Sequence, residues 1–246
     1  MPEYDFISLL LLVAAAILIG FSKTGILGAS LPAVAMITYS FDAKVASGFM
    51  LTLLIIADIP AVLKYGRFGK PKDMLRLLPP ALLGIILGAI VGDWLDEGQF
   101  KLLMGLMVLV CLLLILYGQI FKKEIKAPDN KLFHIIIGVL SGFSSMVGNA
   151  AGPIFSLYLI SMSFDRNKFI GTAAWFFFTV NLIKLPFHIF MWGTITGTSF
   201  KYTLAMVPFI LLGAIVGIYL IKRIKEKHFQ MAVSFMTALA ALYLMI

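Results

Sequence analysis

The sequence carries little charge for its length. Only 13% of its 246 residues are Asp, Glu, Lys or Arg, whereas 61% are hydrophobic, and the mean hydropathy is +1.01. A soluble domain carries about 25% charged residues to cover its surface. The composition therefore excludes an ordinary soluble domain and indicates a chain that lies mostly within a lipid bilayer.

Cysteine is almost absent, since Cys111 is the only one. A single thiol excludes both an intramolecular disulfide and a CxxC metal site. The sequence also lacks an HExxH motif, the Ser/His or paired-Asp arrangements of intramembrane hydrolases, and a nucleotide-binding P-loop. We therefore expect no catalysis, no metal, no cofactor and no direct use of ATP.

The net charge of +8 does not indicate nucleic-acid binding, because the cations lie in short loops beside apolar segments, where they report topology. The acidic N-terminus predicts no cleavable signal peptide. The loop from Gly92 to Phe100 carries three acidic residues and is expected to be external. Thirteen of the 20 Lys and Arg residues fall in three loops that we predict to be cytoplasmic: Lys64, Arg67, Lys70, Lys72 and Arg76; Lys122, Lys123, Lys126 and Lys131; and Lys222, Arg223, Lys225 and Lys227.

The two halves of the chain repeat each other. The hexapeptide Leu-Gly-Ala-Ile-Val-Gly at residues 87–92 recurs at 212–217, and the tripeptide Gly-Phe-Ser at 20–22 recurs at 142–144. Landmarks in the same order at a nearly constant offset are typical of an internal duplication. We therefore predict a first transmembrane repeat, a cytoplasmic linker and a second transmembrane repeat, at residues 1–121, 122–131 and 132–246.

Each repeat contains four hydrophobic segments. In lipid the backbone must satisfy its own hydrogen bonds, so we predict that these segments are helices and that the protein is an all-α polytopic membrane protein. The segments are about Phe6–Tyr39, Val45–Leu63, Leu75–Gly92 and Lys101–Tyr117 in the first repeat, and Leu132–Ile160, Phe169–Phe190, Tyr202–Ile221 and Phe229–Ile246 in the second.

The charge pattern predicts that the two repeats are inverted. Three apolar segments between Lys131 and Lys222 would place these two basic ends on opposite sides of the membrane. The conflict disappears if Leu132–Ile160 enters and returns on one side, and its Gly142–Gly152 break divides it into pieces too short to span alone. The first segment is broken likewise at Gly20–Gly28. Two inverted four-segment repeats, each with a broken or re-entrant first segment, are typical of secondary transporters.

The two breaks predict a binding site. Unwound backbone at membrane depth is tolerated only against protein or a water-filled cavity. The chain re-enters a helix near Pro32 and near Pro153, and a helix that begins inside the membrane directs free N–H groups and its positive dipole end at the cavity, which suits an anion. The polar residues of the breaks are candidate ligands: Ser22, Thr24, Ser30, Ser144, Ser145 and Asn149. The alternative is that small residues only allow close helix packing, which we expect for four other glycines: Gly84, Gly88, Gly213 and Gly217.

Three ionisable residues, Lys23, Asp58 and Lys184, lie within apolar segments, where charge is costly and marks function by default. Asp58 falls opposite Asn181 in the repeat, and Lys184 lies one turn after Asn181 on the same helical face. Either Asp58 and Lys184 neutralise each other, or Lys184 attracts an anion while Asp58 carries a proton; both interpretations stay open. We therefore add Lys23, Asn181 and Lys184 to the predicted substrate site and assign proton coupling to Asp58. For His188, near a helix end, we expect a hydrated structural role rather than the alternative of a proton relay.

At the two broken segments the sequence resembles the sulfite exporter TauE/SafE family, also called TSUP. The resemblance spans essentially the whole chain: its length, its duplicated four-segment halves, the Gly-rich break ending in proline, and the Gly171-Thr172 start of the next helix. It implies a bacterial or archaeal inner-membrane carrier of sulfur-containing or carboxylate anions, such as sulfite, sulfoacetate or related organosulfonates.

We therefore expect a secondary transporter that moves such anions across the cytoplasmic membrane by alternating access, coupled to a proton gradient. Its expected partners are a small anionic substrate, protons and membrane lipid, with no nucleic acid; a homodimer is left open. An anion channel, or a carrier of non-sulfur carboxylates, is the alternative. Duplicated broken helices favour a carrier over a channel.

Overall fold

The computed structural model describes residues 6–24, 28–69, 71–121, 130–161, 166–220 and 226–246. These residues are almost entirely helical, with a 3₁₀ turn at Gly66–Phe68 and a π-helical turn at Phe187–Met191. The α-helices are α1 (Phe6–Thr24), α2 (Leu31–Thr38), α3 (Ala43–Tyr65), α4 (Pro71–Leu75), α5 (Leu78–Trp94), α6 (Glu97–Phe121), α7 (Lys131–Gly148), α8 (Gly152–Ser161), α9 (Arg166–Pro186), α10 (Gly197–Leu220) and α11 (Glu226–Met245). Several cations behind the topology prediction lie outside the described residues: Lys70, Lys122, Lys123, Lys126, Lys222, Arg223 and Lys225.

Six of the described helical stretches are long and apolar enough to cross a membrane: Phe6–Thr24, Ala43–Phe68, Glu97–Tyr117, Lys131–Gly148, Asn167–Met191 and Ser199–Tyr219. Apolar stretches in α5 and α11 are shorter. The polytopic all-α prediction is confirmed, and the eight predicted segments correspond to the helices in order. The first segment of each half is split, into α1 and α2 and into α7 and α8.

The second break is shorter than predicted, and α1 continues to Thr24, beyond the predicted start of the first break at Gly20. Helix α7 continues through Gly142 to Gly148, and the non-helical stretch is only Asn149–Ala151. The expectation that both pieces are too short to span is wrong for the first piece, because α1 and α7 have 19 and 18 residues. The second pieces are short, with eight residues in α2 and ten in α8. Both begin with a proline in the first turn, as predicted.

The glycines that suggested an earlier break serve helix crossings instead. A Cβ added at Gly20 in α1 would overlap the carbonyl of Ile210 in α10, and one added at Gly142 in α7 would overlap the carbonyl of Ala81 in α5. Glycine inside a helix weakens it modestly, and here the absence of a side chain lets two backbones touch. The packing alternative therefore holds for these two residues.

The predicted packing role is confirmed for three of the other glycines. A side chain at Gly84 would meet the Val139 carbonyl, one at Gly213 would meet the Ile17 carbonyl, and one at Gly88 would press on α7. Together these contacts show that the halves exchange partners: α1 of the first half packs on α10 of the second, and α7 of the second packs on α5 of the first.

Helices α3 and α9 cross at the centre of the molecule. Asp58 contacts Asn181, and just beyond the end of α3 the Gly66 carbonyl accepts a hydrogen bond from Trp175. The residue number rises on one helix as it falls on the other, so the two helices run antiparallel. Their crossing brings the buried Asp58 and Lys184 to the middle of the protein.

Candidate functional site

A cavity lies where the two broken segments meet. The cavity has a volume of about 40 Å³, which is room for about three water molecules. Both halves of the chain contribute to its wall. Its polar lining side chains are Ser22, Lys23, Ser30, Ser145, Asn149 and Asn181.

Both short helices begin at this cavity. Leu31, the first residue of α2, and Gly152, the first residue of α8, lie in its wall. The hydrogen bond from the Phe155 N–H to the Ala151 carbonyl opens the ladder of α8, so the N–H groups of its first turn have no partner within the helix. Two helix N-termini thus direct partial positive charge at one small space, which favours an anion there.

Lys23 and Asp58 form an ion pair at the edge of the cavity. The Lys23 ammonium lies 2.7 Å from Asp58 Oδ1 and 4.7 Å from the centre of the Phe177 ring. The Asp58 side chain is fully buried, whereas 11% of the Lys23 side chain is exposed. Lys23 is therefore the member of the pair that an anion in the cavity can contact.

Asn181 connects this pair to the second lysine. Its amide nitrogen donates to Asp58 Oδ2 at 2.7 Å, and its amide oxygen lies 3.4 Å from Lys184 Nζ. A carboxylate oxygen only accepts and an ammonium only donates, so the two neighbours fix the amide orientation. Asn181, on α9, thereby holds Asp58 and Lys184 in one network without direct contact between their charges.

Lys184 is fully buried and bound by neutral oxygens at the end of α7. Its ammonium donates to the Ser145 carbonyl at 2.8 Å, to Ser145 Oγ at 3.2 Å and to Asn149 Oδ1 at 2.6 Å. Because Ser145 Oγ accepts from Lys184, its own hydroxyl hydrogen is available to a ligand in the cavity. Lys184 thus acts on the cavity through Ser145 and Asn149, which line it.

Asn149 adopts a left-handed backbone conformation at the end of α7, with φ of 51°. Asparagine tolerates this conformation better than most residues. Its amide nitrogen donates to the Ser47 carbonyl at 3.0 Å and to Ser47 Oγ at 3.3 Å, which turns its oxygen toward Lys184. Helix α3, from the first half of the chain, therefore anchors the break of the second half.

The sequence profile of the sulfite exporter TauE/SafE family matches residues 12–244. The chain belongs to this family. The match covers both halves and includes each broken segment, so the predicted resemblance is confirmed. No curated protein and no solved structure matches the chain significantly. TauE/SafE membership makes the protein a multi-pass membrane protein of a transporter family that exports sulfite and related anions.

The predicted site residues of this TauE/SafE protein divide into three groups. Six line the cavity, as given above. Asp58 and Lys184 lie behind it, in contact with lining residues. Thr24 and Ser144 are buried but outside the lining; Thr24 donates to the Ala214 carbonyl at 2.8 Å and so fastens α1 to α10.

Two interpretations of charged residues need correction. The direct partner of Asp58 is Lys23 and not Lys184, because Asn181 lies between the carboxylate and Lys184. The hydrated role expected for His188 is also wrong: its side chain is fully buried, and Nδ1 lies 2.9 Å from the hydroxyl oxygen of Thr194. The π-helical turn at Phe187–Met191 draws the ring into the protein instead of leaving it at a helix end.

Sequence reasoning missed Ser47 and Phe177. Ser47 is a small polar residue early in a long apolar helix, and only its distant contact with Asn149 gives it a role. Phe177 lies in an aromatic run at residues 176–178, which by composition is ordinary membrane core. Its position one turn before Asn181 on the same face of α9 was the available signal.

Proposed function

We propose that this TauE/SafE protein is a secondary transporter that moves small sulfur-containing or organic anions, of the sulfite, sulfoacetate and organosulfonate class, across the cytoplasmic membrane. It works by alternating access and couples to a proton gradient. The observation that carries the proposal is the shared cavity. Two breaks, one from each half, open on a single small space, which is lined by Lys23 and by Ser145 and Asn149, the hydrogen-bond partners of Lys184.

The chemistry of the cavity suits an oxyanion. The first turn of α8 offers backbone N–H groups, the Ser145 hydroxyl has a hydrogen to donate, and the Lys23 ammonium supplies a positive charge at the wall. Hydrogen bonds from such groups to a charged ligand contribute roughly 1.5–3 kcal/mol each. The small volume fits an anion of a few heavy atoms.

We propose that residues 1–121 and 132–246 are inverted repeats joined by the linker at 122–131. Two features support this. The equivalent helices α3 and α9 run antiparallel, as a two-fold axis in the membrane plane requires. The exchanged packing of α1 on α10 and of α7 on α5 is the same contact made twice. In this arrangement α8 returns toward the side from which α7 entered.

Alternating access then consists of movement of these exchanged helix pairs around the α3–α9 crossing. The glycines let the backbones of each pair pack closely against each other, so the paired helices move as units. The cavity at the crossing becomes open to one side and then to the other. We place the membrane location in the cytoplasmic membrane, as the family resemblance implies.

Proton coupling is proposed to reside in the Lys23–Asp58 pair. An anion entering the cavity competes with Asp58 for the Lys23 ammonium, which is the exposed member of the pair. A carboxylate that loses its counter-ion in a buried site binds a proton rather than remain charged. An anion that displaces Asp58 from Lys23 therefore binds together with a proton, whereas an anion that shares Lys23 with Asp58 binds without one. Release of the anion restores the ion pair and frees any proton taken up.

The experiment is ligand-induced stabilisation of purified protein against sulfite, sulfate, sulfonates and carboxylates. A ligand present at 100 times its Kd stabilises the folded state by about 2.7 kcal/mol, and we expect that response from at least one sulfur oxyanion or sulfonate. A panel with no response would contradict anion binding. Proteoliposomes with an imposed pH gradient test the coupling: Asp58→Asn should retain anion exchange and lose net proton-driven flux, and full net flux in this variant would exclude Asp58.

A further inference from the structure

The buried charges around the cavity do not cancel. Among the described residues, the ionised side chains at this site are Lys23, Asp58 and Lys184, and Asp58 is the only acidic side chain classed as buried. Lys23 and Asp58 neutralise each other at 2.7 Å. Lys184 is left without a carboxylate in contact.

The surroundings of Lys184 match those of an ammonium. Three oxygens that can only accept surround Nζ: the Ser145 carbonyl at 2.8 Å, Asn149 Oδ1 at 2.6 Å and Asn181 Oδ1 at 3.4 Å. Both amide orientations are fixed independently, since the Asn149 nitrogen faces the Ser47 carbonyl and the Asn181 nitrogen faces a carboxylate. The three N–H groups of an ammonium match these three oxygens, whereas a neutral amine has only two N–H groups.

A fully buried ammonium without a counter-ion is unfavourable inside a membrane protein. Ser145 and Asn149 lie in contact with Lys184 and also in the wall of the cavity. An anion in this space is therefore separated from the unpaired charge by a single layer of side chains. One negative charge in the cavity would therefore balance the site.

We propose that the cavity selects singly charged anions, such as hydrogen sulfite, monosulfonates and monocarboxylates, over doubly charged anions of the same size. The inference rests on the proposed function and narrows its substrate class. A monoanion brings the cluster of Lys23, Asp58 and Lys184 to neutrality, whereas a dianion leaves it with one negative charge in excess. A dianion balances the site only when Asp58 is neutral, so its transport requires an accompanying proton.

The test compares methanesulfonate with sulfate, two sulfur oxyanions of similar size that carry one and two charges across the neutral pH range. Their dissociation constants are measured on wild-type protein in nanodiscs of neutral lipid. We expect methanesulfonate to bind at least tenfold more tightly, which corresponds to about 1.4 kcal/mol. Sulfate binding as tightly as methanesulfonate would overturn the inference and leave the proposed function standing. If neither anion nor any other member of the panel binds, the proposed function fails.

The variant Asp58→Asn provides a second, independent comparison. This substitution removes the buried carboxylate, so the uncompensated charge of the site rises from one to two positive charges. The ratio of sulfate affinity to methanesulfonate affinity should therefore be at least tenfold higher than in the wild type. Asp96→Asn is the matched control, because Asp96 is exposed at the start of α6, and its ratio should equal that of wild type. A ratio in Asp58→Asn that equals the control contradicts the charge-balance argument.

Discussion

Replacement of Lys23 by methionine tests the ion pair at the cavity. In the wild type, the ammonium lies 2.7 Å from Asp58 Oδ1 and 4.7 Å from the Phe177 ring centre. Methionine keeps much of the length and apolar volume of the side chain but has no charge. The variant leaves a fully buried carboxylate whose remaining hydrogen bond comes from Asn181.

The expected loss follows from the burial of Asp58. Breaking a buried pair by removing one partner costs about 3–5 kcal/mol, because the other charge stays uncompensated. In a protein of this size 1 kcal/mol shifts Tm by about 2–4 °C, so Lys23→Met should lower Tm by about 6–20 °C. Asp58→Asn should cost less, because the Lys23 ammonium that it leaves behind reaches the cavity and still lies over Phe177.

Lys101→Met is the matched control. The Lys101 ammonium lies 4.8 Å from the ring centre of Tyr243, and within the described part of the chain it forms no ion pair. Both substitutions remove a lysine from an aromatic face, a contact worth about 0.5–2 kcal/mol, but only the change at Lys23 breaks an ion pair. Thermal unfolding is followed by tryptophan fluorescence in the same detergent. Equal Tm values for the two variants would refute the assignment of a stabilising buried pair.

Three further predictions concern the site, the packing and the topology. Ser145→Ala should weaken anion affinity by up to about 3 kcal/mol, the value of a hydrogen bond to a charged ligand. Ser144 lies outside the cavity lining, so Ser144→Ala should leave the affinity unchanged in the same titration. Equal losses in the two variants would argue against the cavity as the binding site. Gly142→Ala should lower Tm by several degrees because its methyl group overlaps the carbonyl of Ala81 on α5. Gly148→Ala is the control and should be tolerated, because its methyl group would lie no closer than 3.6 Å to a neighbouring atom. A Gly142→Ala protein as stable as the wild type would show that the helix crossing is loosely packed. In a Cys111→Ser background, an impermeant maleimide applied to intact cells should label a cysteine placed at Asp96 but not one placed at Lys126; the reverse pattern would invert the orientation.

Much of the fold could be predicted from the sequence, because bilayer thickness and backbone satisfaction restrict apolar segments to helices. The eight segments, their order and the splitting of the first segment in each half all correspond to the structure. The extent of the breaks could not be predicted, because a glycine can either interrupt a helix or allow two helices to pack closely. Gly142 signals an interruption by composition, but its role here depends on the Ala81 carbonyl, on a helix far earlier in the chain.

The sequence predicted which residues form the candidate site, but not which of its charged residues pair with each other. Polar residues at membrane depth identified Lys23, Asp58 and Lys184, because such residues are costly there. Which lysine meets the carboxylate depends on the α3–α9 crossing and on the end of α1, neither of which is local in sequence. Helical spacing placed Lys184 beside Asn181 correctly, but it carried no information about Lys23, which arrives from a separate helix.

Counterflow in proteoliposomes tests most directly the claim that this cavity is the binding site of a carrier. Vesicles containing wild-type protein are loaded with unlabelled methanesulfonate, or with whichever panel anion binds most tightly, and diluted into a trace of the labelled anion. The account predicts a transient, saturable accumulation of label above its equilibrium level, with a half-saturation concentration that Ser145→Ala raises and Ser144→Ala does not. Flux without accumulation, or a half-saturation concentration that Ser145→Ala leaves unchanged, would contradict it.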